Sequence, residues 1–190
     1  MILYTLLFCL GFAQAAPDLT QTVEEFGTIK IGKPLPSFAG WTTRDQPWSF
    51  SRDRTRRPML LSYFATWCEP CIKGIPIMEK VAKEENIDLI LISIDEKESL
   101  VKRFLKKHGF KALTIVDTYK EIAKRHGVIQ GDTTNSIPKT FLVDNKNIVR
   151  VIYTKEGSNF ETLLLKNIQA LKMPAKNIPK RKSPPLQPDP

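Results

Sequence analysis

Met59-Leu60-Leu61-Ser62-Tyr63-Phe64-Ala65-Thr66-Trp67-Cys68-Glu69-Pro70-Cys71 sets two thiols, two residues apart, directly after a short apolar run. Residues 59–64 read as a buried strand, and residues 72–82 carry helical spacing. A Cys-x-x-Cys at a strand-to-helix junction places the first sulfur at a helix N-terminus. Unpaired backbone N–H groups and the positive end of the dipole favour a thiolate there. The second sulfur lies one turn inside, close enough to attack a mixed disulfide formed on the first. That arrangement suits reversible thiol–disulfide exchange. Two blander uses are weaker. A zinc site needs two more ligands, and the remaining cysteine is Cys9, while the two histidines lack finger spacing. A static disulfide closing so small a loop removes little unfolded-chain entropy and is a poor staple.

At 190 residues the chain is one domain with tails. Residues 2–13 form an apolar run followed by Ala13-Gln14-Ala15, a small-x-small pattern, so residues 1–16 read as a secretory signal cut after Ala15 or Ala16. The run is too short to span a bilayer. No Lys or Arg precedes it, which leaves an uncleaved tether as the alternative. Phe8 beside Cys9 argues against a lipoprotein site. Removal of the signal leaves a single vicinal thiol pair, with no third sulfur to trap a mixed disulfide. The expected location is extracytoplasmic, periplasmic or secreted, with or without a tether.

The formal charge of +9 is uneven. Residues 172–190 hold five Lys/Arg against Asp189 and six of the 14 prolines, and read as a disordered basic tail. Such a cluster can attract anionic lipid weakly. Nucleic acid is not an expected partner, because the aromatic–basic interleaving of single-strand binders is missing.

Residues 17–31 are a polar lead with one helix-capable patch, and residues 32–171 form the domain. A turn at Arg44-Asp45-Gln46-Pro47 lies between Trp41 and Trp48, which predicts a short hairpin. The arginines of residues 52–57 read as a solvated loop. A near-continuous apolar run over residues 88–94 predicts a strand covered on both faces. Then follow a helix over residues 96–107 with Leu100, Phe104 and Leu105 inward, a strand over 112–116 and a short helix over 119–125. Strands over 137–143 and 148–153 are joined at Asp144-Asn145-Lys146-Asn147, and a last helix covers 160–171. The alternation predicts an α/β fold, a central mixed sheet flanked by helices. His108-Gly109 and His126-Gly127 both read as helix ends, with cations near the C-terminal dipole and a left-handed glycine. Neither histidine is a candidate base.

With Ile137-Pro138-Lys139-Thr140-Phe141-Leu142-Val143-Asp144, the Phe64–Cys71 stretch resembles the thioredoxin superfamily, and within it the exported TlpA/ResA-like thiol–disulfide oxidoreductases. The resemblance spans about residues 32–171. It implies a thioredoxin fold with an added N-terminal β-hairpin, and a cis Pro138 facing the cysteine pair. A cis Xaa-Pro would turn the chain beside the reactive sulfur and leave the Ile137 backbone free to pair with an extended substrate. Substrate would lie between Ile137-Pro138 and Trp67, with Glu69 and Pro70 at the rim and the 131–136 loop tuning specificity. Pro70 suits the first helical turn, where its missing N–H is no loss.

On this reading Cys68 is the nucleophile and Cys71 resolves the mixed disulfide, with Trp67 packed beside them to limit water. No metal or bound cofactor is expected, since the disulfide itself carries the electrons. Glu69 opposes the helix dipole, which favours a reductant over an oxidant. The implied partners are exported cysteine proteins, apocytochromes c among them, and a membrane thiol reductase as electron donor. Two departures stand out. Ser62 replaces the buried acid of thioredoxins, and Gly74 replaces the Glu that ResA-like members can carry three residues after the second cysteine. Water, Lys73, Glu69 and Asp95 are the remaining candidates for moving the Cys71 proton. Rival activities are a peroxiredoxin, disfavoured because Ala65 stands where a Thr or Ser is needed, and a non-catalytic binding module.

Overall fold

The structure, a computed structural model, describes residues 22–23, 25–129 and 137–172. The signal segment, the 131–136 loop and the basic tail beyond Lys172 lie outside the described residues.

The strand read around Ser62 is β6 (Met59–Phe64), fully buried along its length. Such a run needs cover on both faces, and the chain supplies it. β6 pairs in parallel with β7 (Asp88–Ser93), and β7 with β8 (Leu113–Val116). On its other side β6 pairs antiparallel with β9 (Lys139–Val143), which pairs with β10 (Val149–Tyr153). β1 (Thr22–Val23) closes the edge against β10, giving a six-stranded mixed sheet in the order β1-β10-β9-β6-β7-β8.

The crossovers are α2 (Glu69–Glu84) between β6 and β7 and α3 (Glu98–His108) between β7 and β8. Right-handed connections in a sheet that grows in one direction put both helices on one face. The Phe64 ring, 6.0 Å from Phe104 of α3, lies on that face. The closing helix α5 (Phe160–Lys172) packs beside α2, joined at the surface by Lys80–Glu161 at 2.8 Å. The opposite face is covered by α4 (Glu121–Arg125) and by the N-terminal hairpin β4 (Ala39–Trp41)–β5 (Pro47–Ser49), which leads into a single turn, α1 (Phe50–Asp53). Phe38, Trp48 and Phe50 stack into one aromatic cluster there. The hairpin turn falls where the sequence places it, with Asp45 in the left-handed region and Thr42 N–H donating to the Gln46 carbonyl.

Four expectations change. The polar lead holds strands rather than a helix: besides β1 it forms a hairpin of β2 (Glu25–Phe26) and β3 (Ile29–Lys30). Its turn uses Gly27 at φ +58°, and a Cβ on Gly27 would meet the Gly127 Cα at 2.5 Å. Only two glycines allow the backbones to approach so closely. In α3 the inward residues are Val101, Phe104 and Leu105, while Leu100 is partly exposed. The arginine loop is not merely solvated. Arg54 donates to the Asp144 carbonyl at 2.5 Å and to Asn147, tying the loop to the β9–β10 turn. Gly109 does cap α3 at φ +73°, but His126 is no cation at a helix end. It is fully buried between the Tyr63 hydroxyl (2.6 Å from Nδ1) and the Pro36 carbonyl (3.1 Å from Nε2). Burial pushes it down to about 4, so it is neutral.

Candidate functional site

Cys68 is the N-cap of α2, and Glu69 and Pro70 open the helix. The strand leaves the sheet at Phe64 and turns through Ala65-Thr66-Trp67, held by Cys68 N–H to the Ala65 carbonyl at 3.0 Å. Asp95, just beyond β7, pins this turn. Its carboxylate accepts from Thr66 N–H (2.9 Å), Thr66 Oγ1 (2.8 Å) and Ser93 Oγ (2.7 Å).

Cys68 and Cys71 are joined as a disulfide. Cys71 N–H points at Cys68 Sγ at 3.4 Å, so a free helix-end donor is aimed at the first sulfur. That contact favours a thiolate on Cys68 whenever the bond is open. Cys68 retains 4% exposure and Cys71 only 1%. Cys68 is thus the less covered of the two cysteines.

Pro138 lies at the same end of the sheet. β9 runs antiparallel to β6 with Tyr63 opposite Lys139, so the preceding Ile137-Pro138 sits beyond the last ladder pair, at the end of the sheet from which β6 runs on to Cys68. The Ile137–Pro138 peptide bond is cis.

Trp67 differs from its expected place. It is 60% exposed, standing out from the surface rather than sealing the sulfurs. With Ile94, Asp95, Glu96, Lys97, Leu100 and Lys120 it lines an open cleft of about 340 Å³. The exposed Leu100 thus finds its setting in this cleft. Glu69 also departs from its assigned effect. It is exposed and ion-paired with Lys73 at 2.7 Å, which holds its carboxyl below the usual range. A paired, solvated charge opposes the dipole only weakly.

Lys73 and Glu69 are therefore occupied with each other, and Asp95 with three donors. None is turned to the Cys71 proton. A different acid is near: Glu156, in the β10–α5 connection. Its Oε1 accepts from Thr140 Oγ1 at 3.1 Å, and its Oε2 is buried without a partner among the described residues. Burial pushes it up to about 8, against the Thr140 bond, which lowers it. Sequence reading passed over Glu156 because Thr154-Lys155-Glu156-Gly157-Ser158 has a loop composition. The available signal was Gly74, a glycine inside a helical pattern, which calls for a packing reason.

The Redoxin family profile matches residues 30–170. The chain belongs to the redoxin family. The thiol-disulfide oxidoreductase ResA of Bacillus thuringiensis subsp. konkukian is 30% identical over 119 residues, which are 61% of this chain and 65% of that protein. The chain thus spans just under two thirds of that relative. Among solved structures, a thiol:disulfide interchange protein of the thioredoxin family from Chlorobium tepidum superposes with a TM-score of 0.60 at 28% identity. That match covers 73% of this redoxin and 94% of the other chain. The peroxidoxin BcpB of Mycobacterium tuberculosis has the same fold, at TM-score 0.64 and 20% identity over 75% of this chain and 98% of its own. The thioredoxin fold with its added hairpin is therefore established. Because a peroxidoxin shares it, the activity has to be read from the cysteines.

Proposed function

We propose that this redoxin is a thiol–disulfide oxidoreductase that exchanges a Cys68–Cys71 dithiol/disulfide with cysteines of exported proteins, working as a reductant. The observation that carries the reading is the bridged pair itself, its less covered cysteine at the helix N-terminus and its partner buried one turn below. The Cys68 thiolate attacks a client disulfide and releases one client thiolate. Cys71, deprotonated, then attacks Cys68 Sγ; the Cys68–Cys71 bond forms, the mixed disulfide breaks and the second client thiolate leaves. Two electrons pass from the enzyme dithiol to the client. Trp67, Glu69, Pro70, Ile137 and Pro138 form the rim on which the client strand lies, the Ile137 backbone offering a strand-addition contact. The peroxidatic alternative is disfavoured because residue 65 is Ala and the Thr66 hydroxyl is committed to Asp95.

Residues 1–16 would export the chain or tether it, and the basic tail of residues 172–190 would add weak attraction to anionic lipid. Clients are then extracytoplasmic cysteine proteins, apocytochromes c among them because haem attachment needs reduced thiols. A membrane thiol reductase would restore the dithiol, and no other cofactor is called for. Among the described residues no helix is long and apolar enough to cross a membrane.

The deciding experiment is the reduction potential of the Cys68–Cys71 couple, read by Trp67 fluorescence in thiol/disulfide buffers with Cys68→Ser as control. A value near or below about −270 mV is expected for a reductant. A value near about −120 mV would make the protein a disulfide donor instead. Absence of a reversible couple would leave only a binding module.

A further inference from the structure

A helix that follows a reactive cysteine pair is interrupted on its buried side by Gly74, one turn after Cys71. The position is not empty. A Cβ there would lie 2.5 Å from the carboxyl carbon of Glu156 and 3.2 Å from its Oε1, and would overlap Oε2. The carboxyl therefore occupies the place where a side chain of residue 74 would begin. Side chains three apart on a helix have Cβ atoms roughly 5–6 Å apart. The carboxyl thus stands one helical turn from the Cys71 Cβ, a gap that a single water can span.

We propose that Glu156 is the proton-handling residue for the Cys71 thiol, delivered from the β10–α5 connection into the notch that Gly74 leaves in α2. The inference rests on the exchange reading above. When the mixed disulfide resolves, the Cys71 S–H proton passes to the Glu156 carboxylate and the freed thiolate attacks Cys68 Sγ. When the enzyme disulfide is reduced, Cys71 leaves as thiolate and takes the proton back. A carboxyl raised to about 8 is a far better match for a thiol than one in the ordinary range near ~4.3, which eases the transfer in either direction.

The hydroxyls behind the carboxyl suit both states. Thr140 Oγ1 lies 2.8 Å from Ser62 Oγ and 3.1 Å from Glu156 Oε1, yet it has one proton to give. With Glu156 ionised, Thr140 donates to the carboxylate and Ser62 donates to Thr140. With Glu156 protonated, the carboxyl can donate to Thr140, which then donates to Ser62. The chain reverses without moving a heavy atom. Ser62, which stands where thioredoxins carry their acid, thus becomes the anchor for an acid supplied from elsewhere.

Among the described residues, no other charge intrudes on the pair. On α2, Lys73 is turned out onto Glu69, and Gly74 and Met78 are the buried neighbours. On β9, Lys139 points to the opposite face of the sheet, over the Phe26 ring at 4.7 Å. On α5, Glu161 is paired with Lys80, and Lys155 beside Glu156 is exposed. Burial alone accounts for the raised carboxyl, working against the Thr140 bond, which lowers it.

The test uses reduced full-length protein and 5,5′-dithiobis(2-nitrobenzoate). Attack by Cys68 releases one coloured thiolate, and resolution by Cys71 releases the second, so the two steps are read separately. In Glu156→Gln the first phase is unchanged. The second is expected to slow about tenfold at pH 7, below the ~10²–10⁴ of general acid–base catalysis because water and hydroxide also deprotonate thiols. The deficit closes above about pH 9, where hydroxide ionises the thiol unaided. A second phase that is unchanged at pH 7, or slowed equally at every pH, overturns the proposal. Loss of the first phase signals that the exchange reading has failed, and the inference falls with it. A measurement on the unmodified oxidised protein guards against a damaged variant: the Glu156 carboxyl 13C resonance should titrate near 8. Titration in the ordinary range, near ~4.3, would equally overturn it.

Discussion

Ser62 and Tyr63 are neighbours on the central strand, and they point to opposite faces of the sheet. On the Tyr63 face the hydroxyl meets His126 Nδ1 and the ring's other nitrogen meets the Pro36 carbonyl, so the polar chain is closed at both ends. On the Ser62 face the chain runs through Thr140 to Glu156 and stops at an oxygen without a partner. Both are buried, and both hold a group displaced from its ordinary ionisation. The closed chain keeps a neutral imidazole out of the working pH range, as a structural bridge. The open chain ends one helical turn from the inner cysteine, at a carboxyl that burial pushes up to about 8. Burial alone does not separate a structural polar group from a chemical one; what separates them here is whether the network is complete.

The largest effect should come from cutting the closed chain. His126→Ala leaves a cavity and strands the Tyr63 hydroxyl and the Pro36 carbonyl, and should cost about 3–5 kcal/mol in urea unfolding. The pH profile of thiol exchange should not move. If exchange shifts with pH in this variant, the two faces are not independent and the comparison breaks.

The next effect is the pH dependence of stability, which has opposite signs on the two faces. His126 is held at about 4 when folded against ~6.5 unfolded, so the unfolded chain binds the extra proton as pH falls between these values. Stability should drop by about 3 kcal/mol across that window. Glu156 is raised, so its contribution is full below the unfolded value of ~4.3 and is lost as pH rises toward about 8. Unfolding curves of His126→Gln and Glu156→Gln should each flatten one limb of the profile. Flattening of the wrong limb would reverse the assignments.

The smallest effect on stability, and the sharpest on the open chain, is Gly74→Ala. The added methyl displaces the end of a flexible Glu156 side chain, while replacing glycine in a helix gains up to ~1 kcal/mol. The melting temperature should stay within a few degrees while the resolving step slows at pH 7, as in Glu156→Gln. An unfolded variant would mean that Glu156 is fixed more rigidly than its one hydrogen bond implies.

Much of the molecule was legible because it is local. The cysteine spacing, the buried strand before it, the hairpin at Arg44-Asp45-Gln46-Pro47 and the order of the core elements follow from periodicity and turn residues close in sequence. The errors lie where a distant partner decides. Residues 22–30 have a weak pattern of their own, and they become strands because the exposed edge of β10 and the notch at Gly127 receive them. Leu100 looked inward by spacing, yet one residue of helix rotation sends Val101 to the core and Leu100 to the cleft beside Trp67. His126 read as a capping cation until Tyr63 and Pro36 were brought against it.

By itself, the sequence determined that this chain carries a thiol pair at the start of a helix, within an α/β domain of a recognisable lineage, because those features depend on residues a few positions apart. Only the tertiary structure decided which acid stands near the inner cysteine. Glu156 follows Gly74 by a long stretch of chain, and no local pattern links them. The missing side chain at one position and the buried carboxyl at the other make sense together only once α2, β9 and the β10–α5 connection have packed.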